Sequence, residues 1–118
     1  MLPSDHRLRR SADFRRALRH GRRTTSRTVV VHIAAGSHGV RIGFAVNRAV
    51  GGSVVRNRVK RRLREAVRPQ LEPLAQAGSW DIVVRATPQA AVANFDELRA
   101  DVVGAMAAPM SAMRPVSA

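Results

Sequence analysis

The residues most suited to chemistry in this sequence are the cations of residues 51–68. The segment reads Gly-Gly-Ser-Val-Val-Arg-Asn-Arg-Val-Lys-Arg-Arg-Leu-Arg-Glu-Ala-Val-Arg and holds seven cations against one acid, Glu65. A solvated helix face normally alternates acids and bases to gain i,i+4 pairs, and this segment does not. Guanidinium groups donate paired hydrogen bonds to phosphate oxygens. The pattern therefore predicts that the segment binds the phosphates of a polyanion.

The charge of the whole chain indicates the same kind of partner. Its 118 residues include 21 Lys and Arg against 8 Asp and Glu, which gives a net charge of +13. Self-repulsion on this scale is relieved by a polyanion. A membrane-binding helix needs an exposed apolar side, whereas the apolar positions here are few enough to be used by a core. Nucleic acid is therefore favoured over an anionic membrane.

Several catalytic and metal chemistries lack the residues they need. There is no cysteine, so disulfides, zinc–thiolate sites and cysteine nucleophiles are excluded. Four histidines are scattered over the first third of the chain, without an HExxH pattern and without carboxylates at metal-ligand spacing. We therefore predict no catalytic residue and no metal site, and an autonomous histidine nuclease has little support.

Aromatic side chains are scarce for a protein that binds single strands. Such proteins stack bases on aromatic rings, and this chain has three Phe, one Trp and no Tyr. Phe44, Trp80 and Phe95 are predicted in the core. Only Phe14 is expected to be available to a base, so we predict sparse stacking that is shared with histidine and arginine planes.

Neither a signal peptide nor a membrane span is expected. No apolar run follows the charges of the first residues, and the longest apolar stretch, residues 29–35, is far too short to cross a bilayer. A cytoplasmic protein is the expectation.

The turn Gly51-Gly52-Ser53 leads into the basic helix and has two interpretations. It is a strand-to-helix turn capped by Ser53, or it brings a phosphate to the free amides of the helix N-terminus. No Gly-Lys-Ser/Thr follows, so it is not a Walker A loop. Both interpretations stay open at this point.

Periodicity and turn residues divide the chain into helices and strands that form an α/β (α+β) fold. Residues 1–107 are predicted as one domain and residues 108–118 as a flexible tail. The predicted elements are a helix over 11–20, strands over 27–35 and 40–47 that pair as an antiparallel hairpin, a basic helix from Ser53 to about Leu74, an internal strand over 80–86, and a helix capped by Asn94.

Alternation gives the predicted sheet two different faces. Val29, Val31 and Ile33 share an apolar face, which strand 40–47 continues, while His32 and Arg41 lie on a mixed face of small and polar residues. On the basic helix, the predicted core-facing residues are Val55, Val59, Leu63, Ala66 and Val67, and the predicted outward residues are Arg58, Lys60, Arg61, Arg64 and Arg68. By angle Arg56 falls on the apolar side, so we predict that it escapes at the first turn.

The chain resembles the bacterial ribonuclease P protein family, most specifically in the segment from Val46 to Ala66, which includes Arg56-Asn57-Arg58. Supporting matches are Arg7-Leu-Arg, Asp13-Phe14, His20-Gly21 and Asp81-Ile-Val-Val-Arg-Ala. The resemblance covers roughly residues 7–107. It implies a small two-layer sandwich in which the basic helix joins two parallel strands by a left-handed crossover. It also implies a fourth strand that the sequence does not locate.

The resemblance implies the non-catalytic protein subunit of an RNA enzyme. The RNA subunit, with its magnesium ions, removes the 5′ leader of precursor tRNA, and the protein binds that RNA and the leader. Implied contacts with the RNA subunit are Arg48, Arg56, Asn57, Arg58, Lys60, Arg61 and Arg64. Implied leader-cleft residues are Phe14, Arg15, His32 and Arg41.

The chain departs from the family pattern at a few positions. Leu18 and His32 stand where aromatics are usual, and Gly52 stands where the family usually has Asn. Ala49 replaces a cation, and Arg62 replaces an apolar residue. A ribosomal or RNA-chaperone-type binding protein remains the alternative, since the same charge would serve it.

Overall fold

The computed structural model describes residues 11–37 and 39–113. Helices and strands follow in the predicted order, with one strand and one short helix in addition. They are α1 (Ser11–His20), β1 (Arg22–Thr25), β2 (Val29–Ala35), β3 (Val40–Ala45), α2 (Ser53–Val67), α3 (Leu71–Ala77), β4 (Trp80–Ala86) and α4 (Phe95–Met113). Short 3-10 turns occupy Arg68–Gln70 and Pro88–Ala91.

The four strands form one mixed sheet in the order β1-β2-β4-β3. β4 pairs antiparallel with β2 and parallel with β3. The predicted hairpin between β2 and β3 is therefore wrong, although the two strands do run in opposite directions. β4 separates them because its apolar run is buried on both faces, which suits a central position. The β2–β3 connection passes over the start of β4, where Gly36 N donates to Ser79 O and Trp80 N donates to Gly39 O.

The fourth strand is β1, which pairs antiparallel with β2 at the edge of the sheet. Its sequence Arg-Arg-Thr-Thr has no apolar alternation, and three of its four side chains are exposed. This is why pattern alone did not locate it. The predicted strand over 27–35 begins later, at Val29, because Ser26 closes a turn on the Val29 carbonyl through its backbone N and its hydroxyl.

The apolar face of the sheet packs against α2 and α4. Val31 and Ile33 of the sheet, Leu63 of α2 and Val102 of α4 belong to one core cluster and have no exposed surface. Each such side chain contributes about 1.5–3 kcal/mol when it leaves water. The predicted alternation is confirmed, and the opposite, mixed face is covered in part by α1 through Ala17 and Phe14.

The predicted basic helix is interrupted near its end. α2 ends at Val67, a 3-10 turn follows, and α3 resumes at Leu71. Pro69 lies in that turn, where its missing N–H and its ring prevent an uninterrupted α-helix. Because α2 and α3 connect the parallel strands β3 and β4, the crossover that the resemblance implies is present, and its left hand stays a prediction.

α4 begins at the predicted cap and is longer than the predicted domain boundary implies. Asn94 Oδ1 accepts a hydrogen bond from Glu97 N at 2.8 Å, so the predicted cap is confirmed. The helix runs to Met113 and so continues into the segment 108–118 that we predicted as a tail. Residues 114–118 lie outside the described ranges.

The ring of Phe14 in α1 lies close against the backbone of Gly43 in β3. A Cβ added at Gly43 would overlap the ring carbons of Phe14. Glycine at this position therefore sets how closely α1 approaches the mixed face of the sheet.

We expect Gly43→Ala to lower the free energy of unfolding by about 1–3 kcal/mol, because the Phe14 ring must move. The matched control is Gly104→Ala in α4, where a Cβ meets nothing within 4 Å and should raise stability by about 0.5–1 kcal/mol. Urea denaturation of both variants measures the difference. Equal effects of the two substitutions would contradict this packing.

Candidate nucleic-acid interface

α2 presents its polar residues on an outer side and on two flanks. Its core side is Val59, Leu63, Ala66 and Val67, all without exposed surface. The outer side, with its most exposed residues, is Asn57, Arg61, Glu65 and Arg68, and the half-buried residues of the flanks are Arg56, Arg58, Lys60, Arg62 and Arg64.

Arg58 does not point straight outward as predicted. Its Nη2 donates to the Ala91 carbonyl at 3.1 Å, and Arg62 Nη1 lies 3.4 Å from the Ala93 carbonyl. Both side chains thus lean toward the segment that follows β4. The Nε of Arg58 is shielded from solvent and has no hydrogen-bond partner in the described part of the chain.

Arg56 escapes the core only in part. It is half-buried, and its Nε is also shielded without a hydrogen-bond partner among the described residues. Its backbone N donates to Gly52 O, the first hydrogen bond of the helix. Arg56 thus lies in the first turn of α2, next to the loop that precedes the helix.

That loop holds Arg48 in an exposed position. Asn47 accepts a hydrogen bond from Ala49 N on its side-chain oxygen and one from Val50 N on its carbonyl. These bonds form a compact turn with Arg48 inside it. The loop thus extends the cationic surface of α2 beyond the helix N-terminus.

Gly52, not Ser53, is the N-cap of α2. Gly52 has extended angles, φ −70° and ψ 179°, and no side chain caps the helix. The interpretation that Ser53 caps the turn is wrong, because the chain is already helical at Ser53. Gly51 precedes it with φ 157°, where a Cβ would press on Val55. The first-turn amides are therefore left without a side-chain acceptor.

On the mixed face, His32 lies in the same cross-strand row as Gly43, the residue that Phe14 of α1 covers. His32 in β2 is level with Val83 in β4, and Val83 is level with Gly43 in β3. Phe14 covers Gly43. Two strand spacings separate the ends of this row, about 10 Å. The structure therefore brings these two predicted cleft residues onto one surface.

His32 is buried between two arginines. It is 5% exposed, its Nε2 lies 3.5 Å from Arg85 Nη1, and its Nδ1 has no hydrogen-bond partner among the described residues. Burial, then the charges of Arg85 and Arg23, lower the pKa of His32 below its ordinary value of 6.5. The imidazole is therefore neutral at pH 7.

Arg41 belongs to an ion cluster around the buried carboxylate of Asp81 and is itself only partly exposed. Its Nε and Nη2 donate to the two carboxylate oxygens of Asp81 at 3.1 and 3.2 Å. Asp81 is 1% exposed and also lies 3.7 Å from Arg16 of α1. The cluster ties α1, β3 and β4 together. Arg15, the remaining predicted cleft residue, lies exposed on α1.

The prediction from sequence missed Arg23 and Arg85. Arg23 is paired with His32 in the register of β1 and β2, and Arg85 with Val30 in the register of β4 and β2. Alternation along β4 could have placed Arg85 on the mixed face. Its position next to His32 required the strand order. We define the sheet cleft as Phe14, Arg23, Val30, His32 and Arg85.

Neither a membrane-spanning helix nor a metal site is found among the residues that the structure describes. None of the helices there is both long enough and apolar enough to cross a membrane. Among the side chains that the structure describes, no three His, Asp or Glu converge as a metal site would require.

Comparison with known proteins gives a consistent result. The family model described as Ribonuclease P matches residues 2–109. The ribonuclease P protein component of Acidothermus cellulolyticus is 49% identical over 104 residues, with 86% of this chain and 85% of the relative covered. That of Nocardioides sp. is 50% identical over 105 residues, with 86% and 88% covered.

Solved structures agree in fold. The RNase P protein of Staphylococcus aureus aligns with TM-score 0.76 at 24% identity, covering 87% of this chain and 94% of that one. The protein from Thermotoga maritima aligns with TM-score 0.71 at 26% identity, covering 83% and 92%.

We expect His32 to make folding stability depend on pH. The pKa of His32 is lower in the folded state than in the unfolded chain, where it is about 6.5. As the pH falls through 6.5, the unfolded chain binds a proton and the folded protein does not. The free energy of unfolding therefore decreases between pH 6.5 and the pKa of the folded state. His32→Gln keeps an acceptor for Arg85 but does not titrate. Between pH 7.5 and 5.5 the wild type should lose more stability than this variant in urea titrations. Exposed His20→Gln is the control, and parallel losses for His32→Gln and wild type would contradict the assignment.

Proposed function

The chain belongs to the ribonuclease P protein family, and on this premise we propose that α2 and the loop before it dock the chain on the RNA subunit. As a protein component of ribonuclease P, the chain is a subunit of the endoribonuclease that matures tRNA 5′ ends, and its partner is an RNA subunit. Catalysis belongs to the RNA. The proposed contacts are Arg48, Arg56, Asn57, Arg58, Lys60, Arg61 and Arg64.

The observation that carries this proposal is the unneutralised charge of α2. Its one acid, Glu65, lies 3.4 Å from Arg68, and within the described ranges no other cation of residues 53–68 has a carboxylate partner. The apolar side of the helix is committed to the core. A rigid element with excess cations on its remaining surface fits a phosphate backbone.

Magnesium enters the proposal through the RNA partner. We place the metal ions that the reaction needs on the RNA and its substrate, and assign none of their ligands to this chain. The contribution of the protein is then to neutralise and position phosphates.

Arg61→Ala with Arg64→Ala should weaken binding to the RNA subunit and flatten its salt dependence. Each lost phosphate contact reduces the slope of log K against log salt by about 0.7–0.9. Filter binding at several salt concentrations measures both quantities. Arg99→Ala, which removes an exposed cation of α4 paired with Asp96, is the control.

Unchanged affinity and slope in the double variant would overturn the docking proposal. Sequencing of the RNA that co-purifies with the chain gives an independent check. Recovery of ribosomal RNA in place of one structured RNA would favour the alternative of a ribosomal or RNA-chaperone-type protein.

We further propose that the sheet cleft binds the single-stranded 5′ leader of precursor tRNA. Phe14 offers one half-buried ring, Arg85 an exposed guanidinium, and His32 a neutral imidazole whose Nδ1 has no hydrogen-bond partner in the described structure. Such a surface suits a single strand, whose bases stack on rings and guanidinium planes. Arg41 contributes by holding Asp81, and Arg15 by its charge at the exposed side of α1.

Arg85→Ala should weaken binding of precursor tRNA by the reconstituted complex about fivefold, roughly 1 kcal/mol, through loss of one charged contact. Affinity for leaderless tRNA, and affinity of the protein for its RNA subunit, should stay the same. Equilibrium binding of the two tRNAs separates these effects, with Arg99→Ala as the matched control. An equal loss for both tRNAs would exclude a leader contact.

A further inference from the structure

Arg62 is a half-buried cation of α2, and the structure gives it a defined neighbour. It follows Arg58 by one helical turn, so the two side chains lie on the same side of α2. Arg58 donates to the Ala91 carbonyl at 3.1 Å, and Arg62 approaches the Ala93 carbonyl at 3.4 Å. The two guanidiniums are thus held side by side against one segment of backbone.

This arrangement leaves their charge available. A carbonyl holds a guanidinium in place without neutralising it, and each guanidinium keeps further N–H donors for another partner. Nearby acids are occupied elsewhere, since Asp96 pairs with Arg99 and Glu97 with Arg27. Side chains held before binding lose less conformational entropy when the partner arrives.

Exposed apolar groups lie beside this pair. Val92, between the two acceptor carbonyls in sequence, is 76% exposed, and Val54, one turn before Arg58 on the same side of α2, is 79% exposed. We define the side strip as Val54, Arg58, Arg62 and Val92. Two unneutralised guanidiniums beside small apolar groups match a phosphate backbone with its sugars better than they match a protein surface.

We propose that the side strip binds a stretch of sugar–phosphate backbone of the RNA subunit, with Arg62 as an additional phosphate ligand. The interface then extends from the outer side of α2 across Arg58 and Arg62 to residues 91–93. This inference rests on the proposed docking of α2, because the occupant is the same RNA.

Three substitutions at Arg62 test the proposal by RNA binding at several salt concentrations. Arg62→Ala should weaken binding about threefold to tenfold and lower the salt slope by about 0.7–0.9. Arg62→Lys keeps the charge, and so the slope, but loses part of the affinity because lysine lacks the fork that contacts a carbonyl and a phosphate together. Arg62→Leu, with an apolar side chain, should behave like Arg62→Ala.

Val92→Glu is a second test, and its effect on binding does not depend on core packing because Val92 is exposed. It places a carboxylate in the side strip and should weaken binding more than Ala100→Glu, which makes the same charge change at an exposed position of α4. RNA binding by the side strip would be overturned if Val92→Glu and Ala100→Glu weakened binding equally and Arg62→Ala bound like wild type. If the Arg61 and Arg64 double variant still binds weakly in that case, the docking of α2 stands. If that double variant also binds like wild type, the docking proposal itself fails.

Discussion

The central position of β4 is the constraint on which the rest of the structure depends. Its run of buried residues needs cover on both faces, so α2 and α4 pack on one side and α1 on the other. β4 also pairs with β2 and β3 together, which separates two strands that are adjacent in the sequence. The cationic helix and the sheet cleft consequently lie on opposite faces of one sheet, which separates the two surfaces for which we propose contacts with RNA.

The few acids and the many cations of this protein have different roles. Asp81 joins α1 to β3 and β4, and Asp101 accepts hydrogen bonds from the backbone N and hydroxyl of Thr28, at 3.1 and 2.6 Å. These carboxylates serve the fold. The cations of α2 are supported by apolar packing and, at Arg58 and Arg62, by backbone carbonyls. Their charge therefore remains for a polyanion, at the cost of mutual repulsion in the free protein.

The prediction of elements succeeded where local pattern and burial agree. The alternation of β2, the apolar side of α2 and the Asn94 cap all follow from neighbouring residues, and all are confirmed. It failed where an element has no pattern of its own. β1 is four polar residues that become a strand only because β2 offers a free edge, and the hairpin of β2 with β3 was excluded by a strand that comes much later in the chain.

The sequence by itself determined the excess of positive charge, its concentration on one amphipathic helix, and the family signature, because composition and helical periodicity are local properties. Only the tertiary structure decided which side chains share a surface. It placed Arg58 and Arg62 against residues 91–93, placed Arg23 and Arg85 beside His32, and paired Arg41 with the buried Asp81. The physical reason is that strand order and register bring together residues far apart in sequence, and no local pattern contains that information.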